Sequence, residues 1–126
     1  MRLKNVLITA KDIHRSAAFY KELFGLQEIL IQDGNIIMTE GLVIQDRAVW
    51  EKLLEKEVHP QNHATELYFE ESDLEAFAKK LEHYHEPVRY VNRLMEDACG
   101  KKVIRLYDPD GNLIEAGTPG PIRDYR

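Results

Sequence analysis

From Arg2 to Thr9 the chain alternates, with Leu3, Asn5 and Leu7 on one side and Val6 and Ile8 on the other, the period of a β-strand. Both sides are largely apolar, so the strand is expected to be covered on both. Asn5 is then a polar group on an inner face, which needs a partner or a cavity. The period changes next. Ile13, Ala17, Tyr20 and Phe24 recur at helical spacing behind Asp12, a good N-cap, and Gly25 ends the run. This predicts a helix over 13–24. Strands are expected at 26–31 and 35–39 around the hairpin signal Asp33-Gly34, and at 42–45 after Gly41. Over 48–57, Val49, Trp50, Leu53 and Leu54 share one helix face, and Pro60 and Asn62 break the run. This is read as a connecting helix, with Trp50, Leu53 and Leu54 as core or subunit interface rather than ligand site.

The second half runs in the same order. A strand is expected at 65–70. Ser72 and Glu75 have the spacing of a capping box, and Leu74, Phe77, Ala78, Leu81 and His85 mark a helix stopped by Pro87. Strands follow at 88–92 and 103–107, then the turn Asp110-Gly111 and a last strand at 112–116. Residues 118–126, with two prolines and a glycine, read as a mobile tail.

Strand, helix and three strands therefore occur twice. Asp12 and Asp73 differ by 61, as do Ile13 and Leu74, and Ala17 and Ala78. Gly41 and Gly111 differ by 70, as do Ile44 and Ile114, and Gln45 and Glu115. The extra nine residues fit a longer loop near 96–101. This register matches Asn5 with Glu66 and Gln45 with Glu115. If the halves face each other around a pseudo-twofold axis, these four polar side chains converge on one cavity.

Composition narrows the function classes. With 126 residues the chain is one domain's worth of polymer, and 44% apolar content is ordinary for a globular fold. Lys and Arg total 17 against 22 Asp and Glu, a net charge of −5, which argues against a nucleic-acid groove. The single cysteine, Cys99, forbids an internal disulfide and fits a reducing compartment. No apolar run is long enough to span a bilayer, and the opening MRLKNVLIT is too short and interrupted for a signal peptide. A soluble cytoplasmic protein is expected, with no nucleic-acid or membrane partner.

Two segments carry a resemblance. KDIHRSAAFYKELFGL (Lys11 to Leu26) resembles the D-x-x-x-S-x-x-F-Y-x-x-x-x-G-L segment of the vicinal oxygen chelate superfamily, and LYDPDGNLIEAGTP (Leu106 to Pro119) resembles its D-P-D-G-N-x-x-E turn and final strand. That superfamily holds glyoxalase I, bleomycin- and fosfomycin-resistance proteins and extradiol dioxygenases. The resemblance implies an α+β fold of two βαβββ modules, each a curved mixed sheet with its helix on the convex side, around a cup-shaped cavity. It implies one glyoxalase-like domain over 1–118, with modules 1–46 and 63–118, the linking helix at 48–57 and a tail at 119–126. It also implies a homodimer, in which Asn5 and Gln45 of one chain could meet Glu66 and Glu115 of the other. Many relatives hold a divalent metal with residues from the first and last strands of each module, here Asn5, Gln45, Glu66 and Glu115. The dioxygenase pattern of two histidines and a glutamate is absent at these positions, and only Glu115 keeps the glyoxalase I pattern.

Two chemistries remain open. Two carboxylates and two amides are oxygen donors, suited to Mg or Mn rather than Zn. A metal there would polarise neighbouring oxygens of a substrate, with Glu66 or Glu115 as the catalytic base. The alternative, preferred because amides are weak ligands, is a metal-free cup whose carboxylates pair with Arg105, Arg89 or a lysine. The first describes a glyoxalase-like lyase or isomerase acting on a small molecule. The second describes a non-catalytic, sequestering protein of the bleomycin-resistance type, whose acidic cup would prefer a cationic ligand. Tyr68 and Arg105 are the candidate ligand-binding residues. His63 is read as an exposed loop residue that could reach the site mouth, His14 and His59 as surface, and Cys99 as unreactive for want of an activating base.

Overall fold

The computed structural model describes residues 1–120; the remainder of the expected tail, 121–126, lies outside the described residues. The chain forms two compact units, the first of Met1–Asn62 with Asp108–Asn112, the second of His63–Tyr107 with the chain from Leu113 onward.

The first unit contains β1 (Val6–Ala10), α1 (Ile13–Phe24), β2 (Glu28–Gln32), β3 (Asn35–Met38), β4 (Leu42–Asp46) and α2 (Arg47–Leu54). Its sheet has the order β1-β4-β3-β2, with β1 parallel to β4 and the other pairs antiparallel. Ile8, Ile44 and Ile36 pair across three strands and are buried, as are Ala17, Tyr20 and Leu23 of α1. The helix contacts the strands that carry that row. Asp12 caps α1 by accepting from the N–H groups of His14 and Arg15, and Gly25 closes it in the left-handed conformation.

The second unit contains β5 (Glu66–Glu70), α3 (Leu74–Glu82), β6 (Arg89–Glu96), β7 (Lys102–Tyr107) and β8 (Leu113–Gly117). Its sheet order β5-β8-β7-β6 repeats the first. Leu106 pairs with Ile114 and Ile104 with Ala116, and this face is buried, as are Leu74, Phe77 and Leu81 of α3. The α+β class and the two βαβββ modules expected from the sequence are present.

Several boundaries differ from expectation, each for a local reason. The first strand begins at Val6, not Arg2. Its ladder partner β4 begins at Leu42, so the pairing stops at Val6–Leu42 and residues before it have nothing to pair with. Asn5 is therefore exposed and outside the strand, not an inner-face residue. Nor is β1 covered on both sides, since Val6 and Leu7 remain exposed. The connecting helix stops at Leu54, where Glu55 turns left-handed. Of the residues expected as core or subunit interface, Leu53 and Leu54 are exposed and Trp50 is half-buried, so none of them is core. α3 is capped by Asp73, whose side chain accepts from the Ala76 N–H, so Ser72 is not the cap. Glu75, the expected return arm of the box, instead pairs with Lys102.

The extra residues of the second half are a longer hairpin rather than a longer loop alone. β6 and β7 remain paired out to Glu96 and Lys102, where β2 and β3 turn at once through Asp33 and Gly34. Strand pairing also corrects the repeat register. Ile8 pairs with Ile44 and Leu67 with Ile114, so the first strands are offset by 67 − 8 = 59. The helix offset of 61 does not carry back, because β5 runs one residue beyond the equivalent of Ala10 and the turn before α3 is one residue longer than the turn before α1. Glu66 is thus matched by Leu7, and Asn5 falls two residues short.

Candidate functional site

Each sheet carries one continuous polar row across all four strands. In the second, Tyr68 of β5 pairs with Glu115 of β8, Glu115 with Arg105 of β7, and Arg105 with Asn92 of β6. In the first, Thr9, Gln45, Asn35 and Gln32 pair in the same order. Residues paired in register project to the same side of a sheet, so each row forms a polar stripe on the face opposite the helix.

The row of the second unit is bonded along its length. Arg105 Nε donates to Glu115 Oε1 at 2.8 Å, and Arg105 Nη1 donates to Asn92 Oδ1 at 3.0 Å. The Glu115 side chain is only 15% exposed, so its charge needs this partner. Beside it, Lys101 Nζ lies 4.4 Å from the centre of the Tyr68 ring, and the neighbouring phenol holds the ammonium above the ordinary lysine value. Both occupy space left by Gly117: a Cβ there would stand 2.8 Å from Lys101 Cε and 3.0 Å from the Tyr68 hydroxyl. One step along the sheet, Tyr107 Oη is 2.7 Å from His63 Nε2, and the Arg89 guanidinium lies 5.7 Å from the Tyr107 ring centre. His63, expected as an exposed loop residue, is exposed and anchored to that tyrosine.

The row of the first unit is neutral. Gln45 is buried, and its Oε1 accepts from Asn35 Nδ2 at the long distance of 3.5 Å. Asn35 Oδ1 is the one buried side-chain oxygen or nitrogen without a hydrogen-bond partner among the described residues. Val49 of α2 and the Gln45 amide both lie within 4 Å of where a Gly34 Cβ would stand, so the helix covers this end of the row.

The four expected metal positions are distributed accordingly. Asn5 and Gln45 belong to the first unit, Glu66 and Glu115 to the second. Asn5 is not brought beside Gln45: β1 pairs Thr9 with Gln45, four residues further along, roughly 13 Å at the rise of a strand. Glu66, exposed at the start of β5, pairs with Leu113, two residues or roughly 7 Å along β8 from Glu115. Tyr68 and Arg105, the expected ligand-binding residues, flank Glu115 directly. Asn92, Lys101, Thr9, Asn35 and Gln32 were not expected. Asn35 was within reach, since subtracting 70 from Arg105 gives it; the others follow only from strand pairing.

The donor chemistry within each unit does not fit a divalent ion. The first row offers neutral amides and a hydroxyl. The second offers a single carboxylate in the row, one oxygen of which is already bonded to a guanidinium whose charge would repel an incoming cation. Among the described residues no group of three or more His, Cys, Asp or Glu side chains is arranged to hold a metal. The face of the second row is not simply acidic, as the cup was expected to be, because Arg105, Lys101 and Arg89 all stand on it.

The motif residues that carried the resemblance have a structural role. Tyr20 donates to Asp108 Oδ2 at 2.7 Å, Ser16 Oγ donates to Asp110 Oδ2 at 3.2 Å, and the Lys11 N–H donates to Asp110 Oδ1 at 2.9 Å. Asp108 also accepts from the N–H groups of Asp110 and Asn112. The D-P-D-G-N turn is thus tied onto α1 within the first unit.

With this fold and these rows in view, the chain belongs to the glyoxalase-like domain family, whose model matches residues 3–119. That family agrees with the resemblance carried by the two sequence motifs. It is similar to a protein of unknown function from Agrobacterium tumefaciens, with 28% identity over 95% of each chain and a TM-score of 0.80. It shares its fold with a lactoylglutathione lyase from Agrobacterium tumefaciens, at 21% identity over 93% of this chain and 92% of the other, with a TM-score of 0.70. A glyoxalase/bleomycin resistance protein/dioxygenase family enzyme from Burkholderia phytofirmans PsJN matches at 17% identity over 91% and 96%, with a TM-score of 0.75. No curated protein matches the chain. No described helix is long and apolar enough to cross a membrane.

Proposed function

We propose that this glyoxalase-like protein binds a small organic molecule on the polar face of its second module, and that it does so without a resident divalent ion there. The observation that carries this is the Arg105–Glu115 pair, 2.8 Å between Nε and Oε1 on paired positions of adjacent strands. The guanidinium engages Glu115 Oε1 and supplies a fixed, always-charged cation beside the carboxylate. Tyr68 and Tyr107 give the same face aromatic surface, and Arg105 and Asn92 give it directional polar contacts, the mixture that orients a small ligand. Of the two readings open from the sequence, this favours ligand binding over a metal-dependent lyase or isomerase. The guanidinium beside it favours the ionised carboxylate and so makes Glu115 a weaker base.

The test is metal content. The full-length protein is dialysed in turn against Mg, Mn, Ni and Zn salts, then freed of loosely held ion and subjected to elemental analysis. The expected result is no stoichiometric metal that depends on Glu115. A stoichiometric ion retained by the wild type and lost in Glu115→Gln would overturn the proposal in favour of the metal-dependent lyase.

A further inference from the structure

Asn35 of β3 and Gln45 of β4 stand at the places in the first module that Arg105 of β7 and Glu115 of β8 take in the second, on paired positions of the corresponding strands. In the second module the pair is ionic and its bond is 2.8 Å; in the first it is a pair of neutral amides 3.5 Å apart. That distance is at the edge of a hydrogen bond, beyond the ordinary range of roughly 2.7–3.2 Å.

The two amides have capacity left over. Asn35 Oδ1 is buried and accepts from nothing among the described residues. Gln45 is 7% exposed, and its Nε2 makes a single contact, 3.5 Å to the Asp46 carbonyl. An amide nitrogen carries two N–H groups, so one of them is unspent. Reversing the amides does not relieve this. A reversed Gln45 would set Oε1 against the Asp46 carbonyl, and a reversed Asn35 alone would set Oδ1 against Gln45 Oε1. Buried polar atoms are almost always bonded, so an open acceptor beside an open donor is a cost that an occupant would remove.

The chemistry of the row selects that occupant. Its members are neutral, so a charged group drawn in would lose its water and find no counter-charge in the row. An acceptor and a donor on neighbouring amides match a third amide, whose N–H donates to Asn35 Oδ1 and whose carbonyl accepts from Gln45 Nε2. The row is covered by α2 at its Gln45 end, and Gln32 is exposed at the other. α2 buries none of its own residues, so displacing it opens little core.

We propose that the first module carries a binding site of its own, for the carboxamide group of a neutral small molecule, held by Asn35 Oδ1 and Gln45 Nε2. Neither residue belongs to the Arg105–Glu115 row, so the metal measurement at Glu115 and the test of this site fail independently.

The experiment is an NMR titration of the full-length protein with benzamide, benzoate and acetophenone, read at the backbone amides of residues 35 and 45 and at the side-chain NH2 signals of Asn35 and Gln45. The three probes share a ring and a carbonyl group, and only benzamide adds N–H donors without a charge. Benzamide is expected to give saturable shifts at both residues. Benzoate and acetophenone are expected to bind at least about tenfold more weakly, since each lacks the donor that Asn35 Oδ1 needs. The double variant Asn35→Leu/Gln45→Met replaces both amides with apolar groups of similar size and is expected to lose saturable benzamide binding. No saturable shift from benzamide would overturn the inference and leave a buried water as the partner of Asn35. Equal affinity for acetophenone, or an unchanged affinity for benzamide in the double variant, would overturn it as well. The wild-type series decides the matter even where the double variant fails to fold.

Discussion

The phenol of Tyr20 donates to the Asp108 carboxylate at 2.7 Å, with both side chains shut away from water. The two residues lie 88 positions apart in sequence and belong to the two motifs that carry the family resemblance. Burial is the main cause that pushes the tyrosine well above its ordinary value, reinforced by the Asp108 charge, and burial likewise pushes Asp108 up. Tyr20→Phe keeps the ring and removes the donor, so it is expected to destabilise the fold by about 1–3 kcal/mol, the cost of an under-satisfied buried polar partner. Urea denaturation at neutral pH measures it.

The same pair fixes a pH dependence. Tyr20 is an acid whose folded pKa is raised, so its contribution is full below the unfolded tyrosine pKa of about 10 and is lost as pH climbs above it. Wild type is therefore expected to lose stability more steeply than Tyr20→Phe in alkaline urea melts. Asp108 has the same sign in the acid range: its contribution falls as pH rises from the unfolded value of about 3.9 through the raised folded one. Parallel alkaline slopes in the two proteins would contradict the assignment to Tyr20.

Arg105 and Glu115 are expected to couple. Arg105→Gln leaves a mostly buried carboxylate without its cation and should cost about 1–3 kcal/mol. Glu115→Gln leaves a guanidinium that is partly in water and should cost below about 1 kcal/mol. A double-mutant cycle by thermal or urea unfolding should return a coupling of roughly 0.5–3 kcal/mol. Strict additivity would mean that the pair is not formed in solution.

The start of α3 offers a clean comparison between neighbours. Asp73→Ala removes the side chain that accepts from the Ala76 N–H and should cost about 1 kcal/mol. Ser72→Ala should stay within about 0.5 kcal/mol. Equal losses in the two variants would return the cap to Ser72.

Local signals carried the fold further than the site. Asp12 with Gly25 marked α1, the Asp33-Gly34 pair marked a hairpin, and the shared offset of Gly41 and Gly111 marked equivalent turns, because caps and turns are set by residues next to one another. Those two glycines adopt φ of 75° and 86°, and the offset of 70 they define holds through Gln45 and Glu115. What failed was the step from helix to strand. β5 is one residue longer at its end and the turn before α3 holds one extra residue, so an offset counted on helices displaced Asn5 by two from the equivalent of Glu66, and nothing local in the sequence reports either length. The partner of Glu115 was legible as one of three named options, since Arg105 sits on the neighbouring strand. Lys101 was not, because its place over Gly117 depends on how far the β6–β7 pairing extends.

The account turns on whether the Glu115 carboxylate is held by a guanidinium or is open to a metal ion. Arginine side-chain NMR reads this at the atom concerned, through the Nε–H resonance of Arg105. The prediction is a resolved, exchange-protected signal that excess Mg or Zn leaves in place and that Glu115→Gln abolishes. A signal that moves saturably with either ion, or that is unaffected by Glu115→Gln, would contradict it.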